Sequence, residues 1–286
     1  MAAHKEARLR EWLRAQSRIA IGYSGGVDSA YLAAVAVGVL GVEGVLAVTG
    51  RSASYPESQW IAARETARTI GLEVVEIDTA ELEDPNYAAN PINRCYFCKS
   101  ELWWHVVPAA RARGIDVVAD GTNADDLSDH RPGAQAAREY GVVSPLAMVA
   151  LTKAEIRERS RALGLPTSEQ PSSPCLSSRI PYGTPVTVGR LRRVERAEAS
   201  LRELGVAGDL RVRHFGDLAR VELSPGELIR WSAGERRESL ERALLQAGYH
   251  QVEIDARGFR SGALNELVSI ASTRSTDAAS AAVSGD

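Results

Sequence analysis

One six-residue segment limits what this chain can fold into more than any other: Ser24-Gly25-Gly26-Val27-Asp28-Ser29, placed between an apolar run and an Ala/Val/Leu-rich stretch. The run from Arg18 to Tyr23 reads as a short buried strand, and the stretch from about Asp28 to Val37 as a helix. A strand, a glycine turn and a helix in that order form an anion cradle. Gly25 and Gly26 can take backbone angles closed to other residues and let the chain approach an anion. Successive N–H groups, Val27 included, and the positive end of the helix supply partial charge. The Ser24 and Ser29 hydroxyls can donate to phosphate oxygens, and Asp28 can hold the magnesium ion that accompanies polyphosphates. The lysine of Gly-x-x-x-x-Gly-Lys-Ser/Thr is missing, which excludes a Walker P-loop.

The flanking pattern repeats the same alternation. Gly44 to Thr49 reads as a second strand, Glu57 to Ile70 as a helix, Glu73 to Ile77 as a third strand and Val117 to Asp120 as a fourth. Helical sequence lies between about Cys98 and Gly114. Strands alternating with helices predict a parallel sheet covered on both faces. Thr152 with Glu155 forms a capping box for a helix that stops at Gly164, and Pro166 follows. From Pro166 to Pro185 the chain carries five prolines and five serines, too irregular for either period, and reads as a functional loop that also links two domains. Beyond it, Val188 to Gly205 is helical in pattern and Leu210 to Phe215 pairs with Ala219 to Leu223 around Gly216-Asp217. Gly226 to Gly248 is helical again, and Gln251 to Asp255 is a last strand. The expected fold is therefore α/β, with a second, smaller α+β domain.

Composition narrows the partners. With 286 residues, 44% hydrophobic and 25% charged, two ordinary globular domains can each bury a core. The net charge of -3 offers no general field for nucleic acid or an anionic membrane, so an RNA substrate is disfavoured. The start of the chain has no apolar signal core, and no run of about 18 apolar residues occurs. A cytoplasmic protein is expected, with a disordered tail over 268–286, where few side chains are large enough to pack.

The Ser24–Ser29 turn resembles that of the PP-loop ATP pyrophosphatases, the adenine nucleotide alpha hydrolase-like proteins that cleave ATP between the α and β phosphates. The resemblance continues at Asp120-Gly-Thr-Asn-Ala-Asp-Asp126, which follows the fourth strand and looks like that superfamily's second nucleotide motif. It implies a nucleotide-binding set of Ser24, Gly25, Gly26, Val27, Asp28, Ser29, Thr49, Gly121, Asn123 and Asp126. Asp28 and Asp126 would hold magnesium.

Three cysteines remain, too few and odd in number for a disulfide framework. Cys95 and Cys98 form a C-x-x-C, and Cys175 lies in the proline-rich loop. A redox dithiol leaves Cys175 unexplained. Structural zinc wants four ligands, with His105 available to complete a set. Three thiolates can hold an iron-sulfur cluster with one iron open. Three unrelated cysteines are the fourth alternative.

The segments Asn90-Pro-Ile-Asn-Arg-Cys-Tyr-Phe-Cys-Lys99, Gly141-Val-Val-Ser-Pro-Leu146, Leu151-Thr-Lys-Ala-Glu-Ile-Arg157, Ser173-Pro-Cys-Leu-Ser-Ser-Arg-Ile-Pro-Tyr-Gly183 and Gly258-Phe-Arg-Ser-Gly-Ala-Leu-Asn-Glu266 together resemble the LarE sulfur transferases, from about residue 10 to residue 267. Those proteins make the bisthiocarboxylate form of a pyridinium mononucleotide, a precursor of the nickel-pincer cofactor of lactate racemase. The resemblance implies that ATP adenylates a substrate carboxylate and that sulfur displaces AMP, twice per product. The family uses two sulfur sources. In one, a cysteine matching Cys175 gives up its own sulfur. In the other, the C-x-x-C and that cysteine hold a [4Fe-4S] cluster that carries sulfide, and Cys95 and Cys98 place this chain with the cluster type.

Resemblance also suggests Ser178, Arg179, Arg213, Glu222 and Arg260 as substrate contacts and Cys175, Asp28 and Arg179 as catalytic, with Glu195 a weaker candidate. Arg179, Arg213 and Arg260 can each grip a carboxylate or phosphate with a planar fork. Trp103 and Trp104 can stack on a pyridinium ring, although a place in the core or at an interface suits them better. The expected organisation is a PP-loop domain over 1–165, a cysteine-bearing loop and linker over 166–186, and a small domain over 187–267 for substrate and oligomer contacts. By resemblance the oligomer is a hexamer, and the sulfide source is open. A tRNA thiolase, an ammonia-using synthetase and a non-enzymatic nucleotide-binding module are the rival readings.

Overall fold

The computed structural model describes residues 1–127, 132–171 and 174–260. Those residues form two compact units, Met1–Cys175 and Leu176–Asp286, the second described as far as Arg260. The tail expected over 268–286 lies outside the described residues.

In the first unit the order is α1 (Ala2–Arg14), β1 (Ile19–Gly22), α2 (Val27–Leu40), β2 (Val45–Arg51), α3 (Glu57–Ile70), β3 (Val74–Asp78), α4 (Pro85–Ala88), α5 (Arg94–Arg111), β4 (Val118–Ala119), α6 (Pro132–Glu139), α7 (Pro145–Met148) and α8 (Lys153–Ala162). The strands are all parallel, in the order β3-β2-β1-β4. Alternation along β1 explains the two covered faces. Ile19 and Ile21 join one core with Leu9, Leu13, Leu32 and Val35, whereas Ala20 joins another with Val48, Trp103, Val106 and Ala136. Each large aliphatic side chain buried there contributes about 1.5–3 kcal/mol relative to exposure.

The strand order places the site. β1 lies between β2 and β4, so the chain leaves β1 toward one side and returns to β4 on the other. Open α/β sheets bind ligands at such a reversal, beyond the carboxyl ends of the strands. The Ser24–Ser29 turn follows β1 and the Asp120–Asp126 segment follows β4.

Several local outcomes differ from the expected pattern. Helix α5 begins at Arg94 rather than near Cys98, which puts the C-x-x-C in its first turn, and it carries Pro108 in its interior. The fourth strand is only two residues, extended by a parallel bridge from Ala119 to Val143. Helices α1, α4, α6 and α7 are not among the elements expected from the sequence pattern.

The second unit contains α9 (Val188–Glu203), β5 (Leu210–Phe215), β6 (Leu218–Leu223), α10 (Pro225–Trp231), α11 (Gly234–Gln246) and β7 (Gln251–Ile254). β5 and β6 form an antiparallel hairpin, and β7 joins β6 in parallel. The helical stretch expected from Gly226 to Gly248 is broken at Ser232-Ala233. Its core gathers Leu201, Val212, Val221, Trp231, Leu240 and Tyr249. Among the described residues no helix is long and apolar enough to cross a membrane.

Candidate functional site: a phosphate cradle and three thiols

The cradle is built by close packing at two glycines. Gly25 has φ +69°, and a Cβ there would lie 2.2 Å from Cβ of Ala63 on α3. Only glycine satisfies both the angle and the space. Gly121 meets the requirement of space alone from the other side, since its Cβ would fall 2.9 Å from the Ser29 backbone nitrogen. The second motif thus rests against the amino end of α2, where backbone N–H groups lack helical partners. Ser24 N donates to Ser29 Oγ at 3.2 Å, the two hydroxyl oxygens are 3.2 Å apart, and Ser29 Oγ donates to Gly26 O at 3.1 Å. Tyr55 Oη holds the Ser24 carbonyl at 2.9 Å. Thr49 is buried and its hydroxyl donates to the Tyr23 carbonyl, so it braces β1 against β2.

Asp28 is the junction of the site. One of its oxygens accepts from Asn123 Nδ2 at 3.4 Å, and the other is in ion-pair contact with Lys153 Nζ. Asn123 is buried and also binds Asp126, through its backbone N–H to Asp126 Oδ2 at 3.0 Å. Its own side-chain oxygen accepts from Asp125 N at 2.9 Å. Asn123 therefore links the two carboxylates expected to hold magnesium. Lys153, the first residue of α8, is fixed from below by the capping box of Thr152 and Glu155 and by its backbone N–H on Asp125 Oδ2 at 2.8 Å. Sequence reasoning missed a role for this lysine. A cation at the positive end of a helix, where an acid would normally be favoured, was the available signal.

The three cysteines share one electrostatic neighbourhood in the first unit. Burial raises the Cys95 pKa, Cys175 raises it further, and the cations of Arg94 and Lys99 oppose the rise. Part of Cys95 remains exposed, but protein density around the residue still penalises its charged form. Cys98 is raised most by burial, then by the Glu81 carboxylate, then by Cys175, and also by Cys95. Each thiol of the C-x-x-C thus senses Cys175 across some eighty residues of sequence. Among the described residues no group of three His, Cys, Asp or Glu side chains, the three cysteines included, is gathered closely enough to hold a metal ion.

The second unit holds a buried charge cluster of its own. Arg213 forks onto Glu222 at 3.0 and 2.8 Å and donates to the Ser178 carbonyl at 2.8 Å. Arg179 forks onto Glu198 at 2.8 and 2.9 Å and donates to Ser178 Oγ at 3.0 Å. Arg211, also buried, lies near both other arginines. Burial first, and then the Arg179 and Arg213 cations, lower its pKa to about 10. Arg211 and Glu198 were missed from sequence, although Arg211 lies two residues from Arg213 and therefore on the same strand face. Glu195 and Arg260 are half-buried, and neither belongs to these two forks.

A family model for NAD synthase matches residues 6–89, the part containing the glycine turn and ending before the C-x-x-C. An uncharacterized protein of Synechocystis is 44% identical, covering 94% of this chain and 99% of its own length. The pyridinium-3,5-bisthiocarboxylic acid mononucleotide synthase of Lactiplantibacillus plantarum is 32% identical, covering 93% of this chain and 95% of its own. An uncharacterized protein of Methanocaldococcus jannaschii is 29% identical over 72% of this chain and 77% of its own.

Proposed function

The chain belongs to the family of pyridinium-3,5-bisthiocarboxylic acid mononucleotide synthases, the LarE PP-loop enzymes, and from that premise we propose that it replaces carboxylate oxygen by sulfur on a pyridinium-3,5-biscarboxylic acid mononucleotide. It is an ATP-dependent enzyme. The substrate carboxylate attacks the α-phosphorus of ATP and pyrophosphate leaves, giving an acyl adenylate. A sulfur nucleophile then adds to the acyl carbon and AMP departs with the C–O bond electrons, leaving a thiocarboxylate. A second round on the other carboxylate completes the product, which would serve nickel-pincer cofactor synthesis.

Within this reading the Ser24–Ser29 turn and the end of α2 receive the departing pyrophosphate, where N–H groups aimed at the anion stabilise charge as it develops. Asp28 and Asp126 are the magnesium carboxylates, kept in register by Asn123. Ser178, Arg179, Arg213 and Arg260 are assigned to the anionic groups of the substrate, with Glu222 as the carboxylate that holds the Arg213 fork in place. The Arg211 cation beside Arg179 and Arg213 adds a third guanidinium to that cluster.

Cys95, Cys98 and Cys175 are assigned to a [4Fe-4S] cluster. When bound, such a cluster supplies sulfide at the one iron without a protein thiolate. The observation that supports this is that Cys175 lies close enough to both thiols of the C-x-x-C to raise each of them. Sacrifice of Cys175 alone would leave the nearby pair without a task. A three-thiolate set also suits a cluster better than closed tetrahedral zinc. Anaerobic reconstitution with iron and sulfide tests it: about four irons per chain and repeated turnovers are expected. Failure to bind iron, together with loss of the mass of hydrogen sulfide from Cys175 after one turnover, assigns the sulfur to that cysteine instead. Continued product formation by Cys175→Ala with ammonia would move the chain among the ammonia-using synthetases.

A further inference from the structure

Helix α8 does more than present Lys153 to Asp28. One turn further along, Arg157 lies on the same face, because residues four apart stack above one another on a helix. Its guanidinium donates to the Ser168 carbonyl at 2.5 Å and to the Gln170 carbonyl at 2.8 Å. Ser168 belongs to the 3₁₀ turn Pro166–Glu169, and Gln170 caps its end. Among the described residues this is the last helical turn before Cys175, which follows Gln170 by five positions.

The helix is a fixed platform for that grip. Ile156 is buried in the core shared with α1 and α2. Arg159 donates at 2.7 Å to the buried Glu6 of α1, which also accepts from Tyr31 of α2 at 2.9 Å. Lys5 ties α1 to Glu155 at 2.7 Å. Leu165, which precedes the turn, is buried in the same core, and Thr167 is buried within the turn. Apolar burial thus anchors the start of the turn and the Arg157 fork anchors its end. Arg161, one turn beyond Arg157, grips the Glu169 side chain instead, in a pair 54% and 72% exposed. A side chain can follow a moving partner, whereas two carbonyls held by one planar fork fix the backbone itself.

We propose that Arg157 is a positioning residue for sulfur transfer: by holding the carbonyls of Ser168 and Gln170 it keeps the strap to Cys175 in register with the C-x-x-C. The inference rests on the sulfur transfer proposed above. Cys175 acts on both Cys95 and Cys98, so its place is defined relative to α5. Five residues reach at most about 18 Å, and a strap released at Gln170 frees Cys175 to leave that place. A misplaced sulfur loses its attack geometry, and the acyl adenylate then meets water. The water oxygen bonds to the acyl carbon, AMP leaves with the C–O bond electrons, and a proton is released, so the carboxylate returns and ATP is spent without product.

The test compares wild type with Arg157→Met, Arg157→Lys and, as the control on the same helix and turn, Arg161→Met. Pyrophosphate and thiocarboxylate are counted together in the reconstituted enzyme. Alkylation of Cys175 by iodoacetamide is followed by mass spectrometry in the metal-free chain, with circular dichroism as the folding check. About one pyrophosphate per thiocarboxylate is expected in wild type and roughly ten in Arg157→Met, with the rate of pyrophosphate release kept within about twofold. Alkylation of Cys175 should become roughly fivefold faster. Arg157→Lys, which keeps the charge and reaches one carbonyl, should fall between, and Arg161→Met should match wild type. The alkylation arm needs no turnover, so it decides the role of Arg157 even where wild type forms no thiocarboxylate, a result that would sink the proposed reaction instead. A parallel loss of both products, an unchanged Cys175 rate in the folded variants, or failure of both Arg157 variants to fold reduces Arg157 to a support of the fold and overturns the proposal.

Discussion

Lys153 and Asp28, 125 residues apart in sequence, form an ion pair at the mouth of the phosphate cradle. Both side chains are partly open, at 37% and 20% exposure, so the pair adds at most about 1 kcal/mol to stability. Its consequence is chemical. In the proposed reaction, magnesium carried by ATP takes the Asp28 carboxylate, and a lysine released from that carboxylate would turn to the phosphates.

Lys153→Met should therefore lower the rate of pyrophosphate formation by roughly 100-fold while leaving the denaturation midpoint almost unchanged. The same variant should reach half-maximal activity at a lower magnesium concentration, because the competing cation is gone. Magnesium titrations of wild type and variant, read by released pyrophosphate, check both effects. An unaltered magnesium requirement would remove Lys153 from the site.

The turn itself makes a stability prediction. Gly25→Ala places a Cβ against Ala63 in a residue with φ +69°. The left-handed angle costs about 1–2 kcal/mol and the overlap about 1–3 kcal/mol more. Gly189→Ala, on α9 where a Cβ meets nothing within 4 Å, should be neutral or stabilising. Urea denaturation of both variants gives the comparison.

How far the chain could be read in advance depended on the range of the interactions. The cradle was legible because its strand, glycines and helix are contiguous, and β1 was legible because burial on both faces makes it wholly apolar. The Asp28–Lys153 pair was not, since nothing local announces a contact across 125 residues. Arg211 and Glu198 were missed for a related reason. Charged residues usually lie on the surface, and these are drawn inside by partners on other elements: Glu198 on α9 meets both Arg179 and the backbone of β5. The early start of α5 was hidden because Cys, Tyr and Phe are indifferent helix formers.

In the second unit, Arg213 and Glu222 have side chains only 8% and 5% exposed. Removing one partner strands a buried charge, so Glu222→Ala should cost about 3–5 kcal/mol. Glu241→Ala, which breaks the exposed i,i+4 pair with Arg237, should cost less than about 0.5 kcal/mol. A double variant, Arg213→Met with Glu222→Leu, should recover much of the first loss in chemical denaturation while abolishing substrate binding.

The thiols give the pH dependence. Burial and neighbouring negative charge raise Cys98 above the ordinary thiol range, and Cys95 is raised in the same direction. At pH 8 both should therefore remain thiols in the metal-free protein and react with iodoacetamide more slowly than an unfolded control. The sign for stability follows from the same shift. In the unfolded chain the cysteines lose protons near pH 8.5, whereas the folded chain still holds them, so folding stability falls as pH rises above that value. Cys98→Ala should flatten this alkaline decline, measured by denaturation at pH 7.5 and 9.5. Metal loading should do the opposite of alkali. Iron binding displaces thiol protons, so anaerobic reconstitution should release protons and proceed more readily at pH 8.5 than at pH 7, as read in weakly buffered solution with a pH indicator. Equal uptake at both values, with no proton release, would mean that these thiols do not serve as the ligands.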